Sequence, residues 1–138
     1  MYRNKARLND DIYVTGNLGD SYIGLQILGG KIKLNNKMSN FFIKKYYQPD
    51  LQLKFTNSLL KLANTSIDIS DGLIDDLKKL INRQNLSFCI SEEKIPVSKY
   101  LNQLIRKKNY NKVGITSKGD DYQILFTANH IKSRIIQK

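Results

Sequence analysis

Ile67-Asp68-Ile69-Ser70-Asp71-Gly72-Leu73 decides how this 138-residue chain folds. Ser66 to Ile69 alternates and is β-branched, which is the pattern of a strand. From Leu73 the period changes. Leu73, Leu77, Leu80 and Ile81 fall at i, i+4, i+7 and i+8, the stripe of an amphipathic helix, with Asp75, Asp76, Lys78 and Lys79 on its other face. A strand therefore passes into a helix across Ser70-Asp71-Gly72. On the strand, Asp68 and Ser70 share a face because side chains repeat every second residue. Asp71 stands at the helix start, where free N–H groups and the dipole favour negative charge, and Gly72 permits close approach of a backbone or ligand. Two carboxylates in this setting suit Mg²⁺, and the Ser70 hydroxyl suits a phosphate. The same residues equally suit a structural use, with Ser70 or Asp71 capping the helix and Asp68 at the sheet edge.

Asp11 to Gly16 reads as a strand, and Asn17-Leu18-Gly19-Asp20-Ser21 as a turn whose Asp or Ser can cap a helix over Tyr22 to Leu28. That turn lacks the Lys and the spacing of a P-loop. A polar loop over 31–37 leads to a second helix containing Phe41 to Tyr47, ending before Pro49, and Thr56 to Asn64 predicts a third. Beyond the central helix, Leu86 to Ile90 predicts a strand, with Cys89 as a small core residue. Val97 to Ile105 predicts a helix and Arg106 to Lys112 a solvated loop. Lys118-Gly119-Asp120-Asp121 is an acidic turn into a strand over Tyr122 to Thr127, with Gln123 as its polar interruption; His130 to Gln137 begins a last helix. The order predicts one α+β domain over residues 1–138, a mixed sheet with helices covering one face, without repeats or linkers.

Composition narrows the function. Hydrophobic residues at 41% and charged residues at 25% match a soluble globular chain and exclude collagen, low-complexity and disulfide-scaffold classes. No apolar run approaches the roughly 18 residues that span a bilayer. The basic start, Met1 to Arg7, is followed by Asn9-Asp10-Asp11 rather than a signal core, so a cytoplasmic location is expected. A single cysteine gives no internal disulfide. Lys and Arg outnumber Asp and Glu by 23 to 12, a net charge of +11, which is the footprint of nucleic-acid binders. Here the charge is scattered, at Lys31, Lys33, Lys37, Lys44-Lys45 and Arg106-Lys107-Lys108, with no nucleic-acid-binding motif beside it. Richness in Lys, Asn and Ile, which have codons built only of A and T, accounts for it through base composition. Nucleic-acid binding stands as the alternative function. His130, the only histidine, has no nucleophile beside it in sequence and reads as a surface residue.

Three segments taken in order, Asp11 to Ser21, Ile67 to Leu73 and Gly119 to Thr127, with Ile95-Pro96 between the last two, resemble the thiamine-monophosphate kinases of the AIR-synthetase-related superfamily. The resemblance implies a fold like that superfamily's C-terminal domain, incomplete at both ends. It also implies direct transfer of the γ-phosphoryl of ATP to thiamine monophosphate, giving thiamine diphosphate, with Mg²⁺ as the cofactor. Carried onto matching positions, it makes Asp68 and Asp71 ligands of Mg²⁺, Ser70 and Arg3 contacts to ATP, and Gln123 a contact to the thiamine substrate. No side chain is implied as nucleophile or base. The family's N-terminal domain, which carries most of the Mg²⁺ carboxylates including a Gly-Asp-Asp segment, has no counterpart here. Its last segment, with an aromatic residue packing on the substrate, is also without one. Gln52 stands where the Arg of a Pro-x-Pro-Arg stretch is expected, and Leu8-Asn9 replaces Pro-Gly. The expectation is therefore a truncated or split kinase domain with little activity alone, partnered by a separately encoded N-terminal half or by a second copy. Another member of the superfamily, acting on a different phosphorylated substrate, is the neighbouring reading.

Overall fold

A computed structural model describes residues 3–52 and 55–137. The strand-to-helix switch lies where the sequence places it. One strand, Thr65–Asp68 (β2), ends shortly before Gly72, and a helix, Leu73–Leu80 (α4), follows it. Leu73, Leu77 and Leu80 are buried against Ile67, Ile69 and Leu125. Leu125 belongs to the central strand, Ile124–Asn129 (β3), which lies between β2 and the first strand, Asp10–Val14 (β1). Tyr13 pairs with Phe126, and Ile67 with Leu125. The near-continuous apolar run of β3 suits a strand with a neighbour on each side and a layer on each face. β1 and β2 run in the same direction, but β3 separates them and opposes both. Among the described residues the sheet is therefore antiparallel, not mixed.

Helices cover both faces of this sheet rather than one. α4 lies on the face of Leu125. On the other face Phe126 and Ala128 pack with Leu59 from Thr56–Leu62 (α3), following the two-residue period of the strand. Asp20–Leu28 (α1), Asn36–Tyr47 (α2), Lys99–Lys108 (α5) and Lys112–Thr116 (α6) build a second core around Ile23, Phe42, Leu101, Leu104 and Ile115. Ser133–Ile136 (α7) follows β3 through a short 3₁₀ turn.

The expected loop over 106–112 is helical at both ends. α5 runs to Lys108 and stops at Asn109 in the left-handed conformation, φ 50°. Asn111 then caps α6 by accepting from the Gly114 N–H at 2.9 Å. Residues 86–90 form no ladder, although their burial alternates as a strand's does: Leu86, Phe88 and Ile90 are half-buried and Ser87 and Cys89 exposed. That alternation turns Cys89 outward, so the expected core cysteine is a surface thiol. His130 is exposed, as expected. Among the described residues no helix is long and apolar enough to cross a membrane.

Candidate functional site

Because β3 opposes both neighbours, β1 and β2 end where β3 begins, and the three segments singled out in the sequence meet at one end of the sheet. The Ile69 N–H donates to the Gln123 carbonyl at 2.8 Å, Tyr122 N–H to the Ile69 carbonyl at 2.9 Å, and Asp120 N–H to the Ser70 carbonyl at 3.0 Å. Two glycines make this approach possible. A Cβ on Gly119 (φ +80°) would stand 2.2 Å from the Ser70 carbonyl oxygen, and one on Gly72 (φ +117°) 2.4 Å from the Ser117 carbonyl. Both conformations and both contacts exclude a larger residue.

The loop Ser70-Asp71-Gly72 is not closed by its own side chains: α4 has no side-chain cap from Gly72, and neither Ser70 nor Asp71 supplies one. Asp76, fully buried at 0% exposure, does so from within the helix. Its Oδ2 accepts from the N–H groups of Ser70 (2.9 Å), Asp71 (2.9 Å) and Gly72 (3.1 Å), and its Oδ1 from Lys79 Nζ at 2.7 Å. Burial opposes ionisation of this carboxyl, but the Lys79 bond and the three backbone donors outweigh it and hold the pKa below the usual value. Lys79 also pairs with Asp71, and the two carboxylates, Asp71 first, raise the lysine's pKa. The helical pattern assigns Asp76 to the solvent face, and the structure corrects this. The signal for burial is its place three residues after Leu73 and four before Leu80, inside the apolar stripe, where a carboxylate must find partners.

Asp68 and Asp71 are exposed and Ser70 is half-buried beside them on one rim. Gln123 lies on the other flank, 5% exposed. Its Oε1 accepts from the Thr15 hydroxyl at 3.0 Å, and its Nε2 donates to the carbonyls of Asp50 (3.1 Å) and Asp121 (3.3 Å). Thr15 Oγ1 accepts from the Ile124 N–H at 3.0 Å, which leaves its proton for Gln123 and fixes the amide's orientation. Arg3 is not brought to this end. It is exposed, and the N–H of its neighbour Asn4 donates to the carbonyl of Leu80, the last residue of α4.

Gln123 borders a cavity of about 90 Å³ shared with Asp20, Lys45, Asp50 and Asp121. Asp20 does not cap its own helix. Asp121, from across the fold, accepts from the N–H groups of Gly19 (2.7 Å) and Ser21 (3.5 Å) at the start of α1. Asp20 instead accepts at 2.6 Å from Ser98, the residue that caps α5. Burial pushes the Asp20 carboxyl up to about 6, against the Ser98 bond and the charge of Lys45. Burial likewise pushes Asp121 up to about 7, against its two backbone donors and with added repulsion from Asp20 and Asp120. Nothing local marks Asp121 as a cap, because its partners lie about a hundred residues away in the chain.

Carboxylate and hydroxyl oxygens suit Mg²⁺ in kind. In number they fall short: among the described residues no three Asp, Glu, His or Cys side chains converge on one point, and Asp71 is already paired with Lys79. The described residues by themselves do not complete a metal site.

No protein-family model matches the chain. It is 38% identical over 142 residues to the thiamine-monophosphate kinase of Buchnera aphidicola subsp. Acyrthosiphon pisum, a match covering 100% of this chain and 44% of that protein. Its fold superposes on the crystal structure of thiamine monophosphate kinase from Aquifex aeolicus with TM-score 0.83 and 34% identity, over 94% of this chain and 44% of that one. The chain is a relative of the thiamine-monophosphate kinases. A structure of AaThiL complexed with AMPPCP and TMP matches equally well, with TM-score 0.83, 34% identity, and 96% and 42% of the two chains covered. The chain spans less than half the length of the curated kinases it matches.

Proposed function

We propose that this chain is part of a thiamine-monophosphate kinase and contributes one wall of its site, in the cytoplasm. The observation that carries the reading is the meeting of Asp68, Ser70 and Asp71 with the Gly119–Gln123 segment at one end of the sheet, in a chain similar over its whole length to such kinases. In this reading Asp68 and Asp71 supply oxygens to Mg²⁺ shared with carboxylates from outside residues 1–138, and Ser70 contacts ATP. Gln123 faces the thiamine substrate; Arg3, the further ATP contact by resemblance, is held away from this end of the sheet and is not part of this wall. When bound, Mg²⁺ would offset the charge gathered on the triphosphate. The acceptor is itself a phosphate, largely ionised near neutral pH since its second pKa is about 6, so no side chain has to remove a proton from it. Positioning and charge neutralisation then carry phosphoryl transfer, which fits a site of Asp, Ser and backbone donors.

The described residues alone bring together too few metal ligands for this work. Purified chain given Mg-ATP and thiamine monophosphate is expected to form no thiamine diphosphate by chromatographic assay. Activity is expected on adding a separate polypeptide that carries the Gly-Asp-Asp half. Turnover by the chain alone would overturn the split. Failure of every such polypeptide to restore activity would overturn the kinase role.

A further inference from the structure

We propose that the cavity between β1 and residues 86–91 is an acceptor slot for one extended polypeptide strand, supplied by a part of the kinase relatives that this chain does not span. The cavity has a volume of about 510 Å³. Asp10 to Val14 form one wall, Leu86 to Ser91 the other, and Leu73 and Leu77 of α4 line it between them.

β1 has no neighbour on this edge among the described residues, and residues 86–90, which form no ladder, have no backbone partner there. An antiparallel ladder uses alternate residues of each strand. Thr15 N–H bonds the Ile124 carbonyl, which assigns Tyr13 and Asp11 to the β3 side and turns the backbone groups of Ile12 and Val14 toward the cavity. On the opposite wall, residues 86–90 make no backbone hydrogen bond among the described residues. The two walls are also in phase, since Ile12, Val14, Phe88 and Ile90 all pack on the core cluster of Leu73 and Leu77. A strand laid between them would continue the sheet, with alternate side chains on the same apolar floor. This explains why 86–90 has a strand's alternation and no ladder: the partner that its pattern anticipates is not among the described residues.

The occupant is a polypeptide because both walls present rows of backbone donors and acceptors, which only another backbone matches along its length. Its source is argued from length. The match takes in all of this chain but 44% of the Buchnera aphidicola kinase, so most of that protein's chain lies outside it.

The test uses the full 138-residue chain and overlapping strand-length synthetic peptides covering the unmatched part of that Buchnera kinase, without nucleotide. Amide exchange is followed by NMR. One peptide is expected to slow exchange at Ile12, Val14 and 86–90 by about tenfold or more. Its backbone N-methylated analogue, with the same side chains and fewer donors, is expected to give no protection. The slot is refuted if no peptide protects these amides, or if the N-methylated analogue protects equally, which would indicate apolar binding only. Protection that rises with chain concentration before any peptide is added would assign the slot to a second copy and overturn the occupant proposed here. Because no ATP or thiamine compound is present, these outcomes are separable from those that test the kinase role.

Discussion

Two groups of carboxylates flank the head of β3, and the fold treats them in opposite ways. Asp76 is fully buried yet held ionised, because Lys79 and three backbone N–H groups converge on it. Asp20 and Asp121 are each 4% exposed, and burial pushes both carboxyls upward, with repulsion from Asp50 added at Asp20 and from Asp20 and Asp120 at Asp121. Residue type is the same and exposure is similarly low, although Asp20 and Asp121 lie deeper in the protein than Asp76. The donor set differs too: a cation and three N–H groups on one side, against two N–H groups and one hydroxyl shared between two acids on the other. Burial alone therefore does not decide the charge of an acid. Depth, the donors facing it and the neighbouring charges decide it together.

The comparison breaks most severely at Asp76. Asp76→Ala leaves three backbone N–H groups without their acceptor, and roughly 3–5 kcal/mol of stability is expected to go with it, read as a lower urea midpoint at unchanged slope. Asp76→Asn keeps an acceptor and should lose less. Next is the backbone contact that ties the two motif loops together. Gly119→Ala forces a Cβ to 2.2 Å from the Ser70 carbonyl at φ +80°, with an expected cost of about 2–4 kcal/mol by the same measurement. A shift at the Ser70 and Asp120 amides in NMR spectra would confirm that these loops have parted.

The smallest effect sharpens the contrast by its sign. Asp121 is raised from 3.8 to about 7 on folding, so the folded chain binds more protons than the unfolded one between those values, and stability falls as pH rises through that window. From about pH 5 to about pH 7 the loss from Asp121 is on the order of 2 kcal/mol; Asp121→Asn should remove that part and leave the smaller part due to Asp20. Asp76 acts the other way. Its folded pKa is lowered, so its contribution is present above the ordinary carboxyl range and is lost as pH falls through the folded value. Urea midpoints across pH, with and without Asp121→Asn, measure both. A slope that the variant leaves unaltered would show that Asp121 is not the group responsible.

Much of the frame is legible in single residues. The change of period between Ile69 and Leu73 locates β2 and α4. The apolar run from Ile124 announces a central strand, and the glycines at 72 and 119 mark the places where loops approach. The candidate site is legible as motifs but not as an arrangement. Asp71 is engaged by Lys79, and Gln123 spends its amide on Thr15, Asp50 and Asp121. Capping is legible in kind and misplaced in address, since Asp76 and Asp121 do what Ser70, Asp71 and Asp20 are suited to do. The outward turn of Cys89 follows the alternation of 86–90, which is visible, with a phase that only packing on α4 could set.

The order of strand and helix, the apolar faces and the presence of an acidic loop at a helix start belong to the sequence by itself, because hydrophobic period and glycine conformation act over a few residues. Which acid caps which helix, which carboxylate keeps its charge, and which strand edge stays unpaired among the described residues were decided by the tertiary structure. Those outcomes depend on donors and neighbours brought together from distant parts of the chain, and their energy scales with proximity in space.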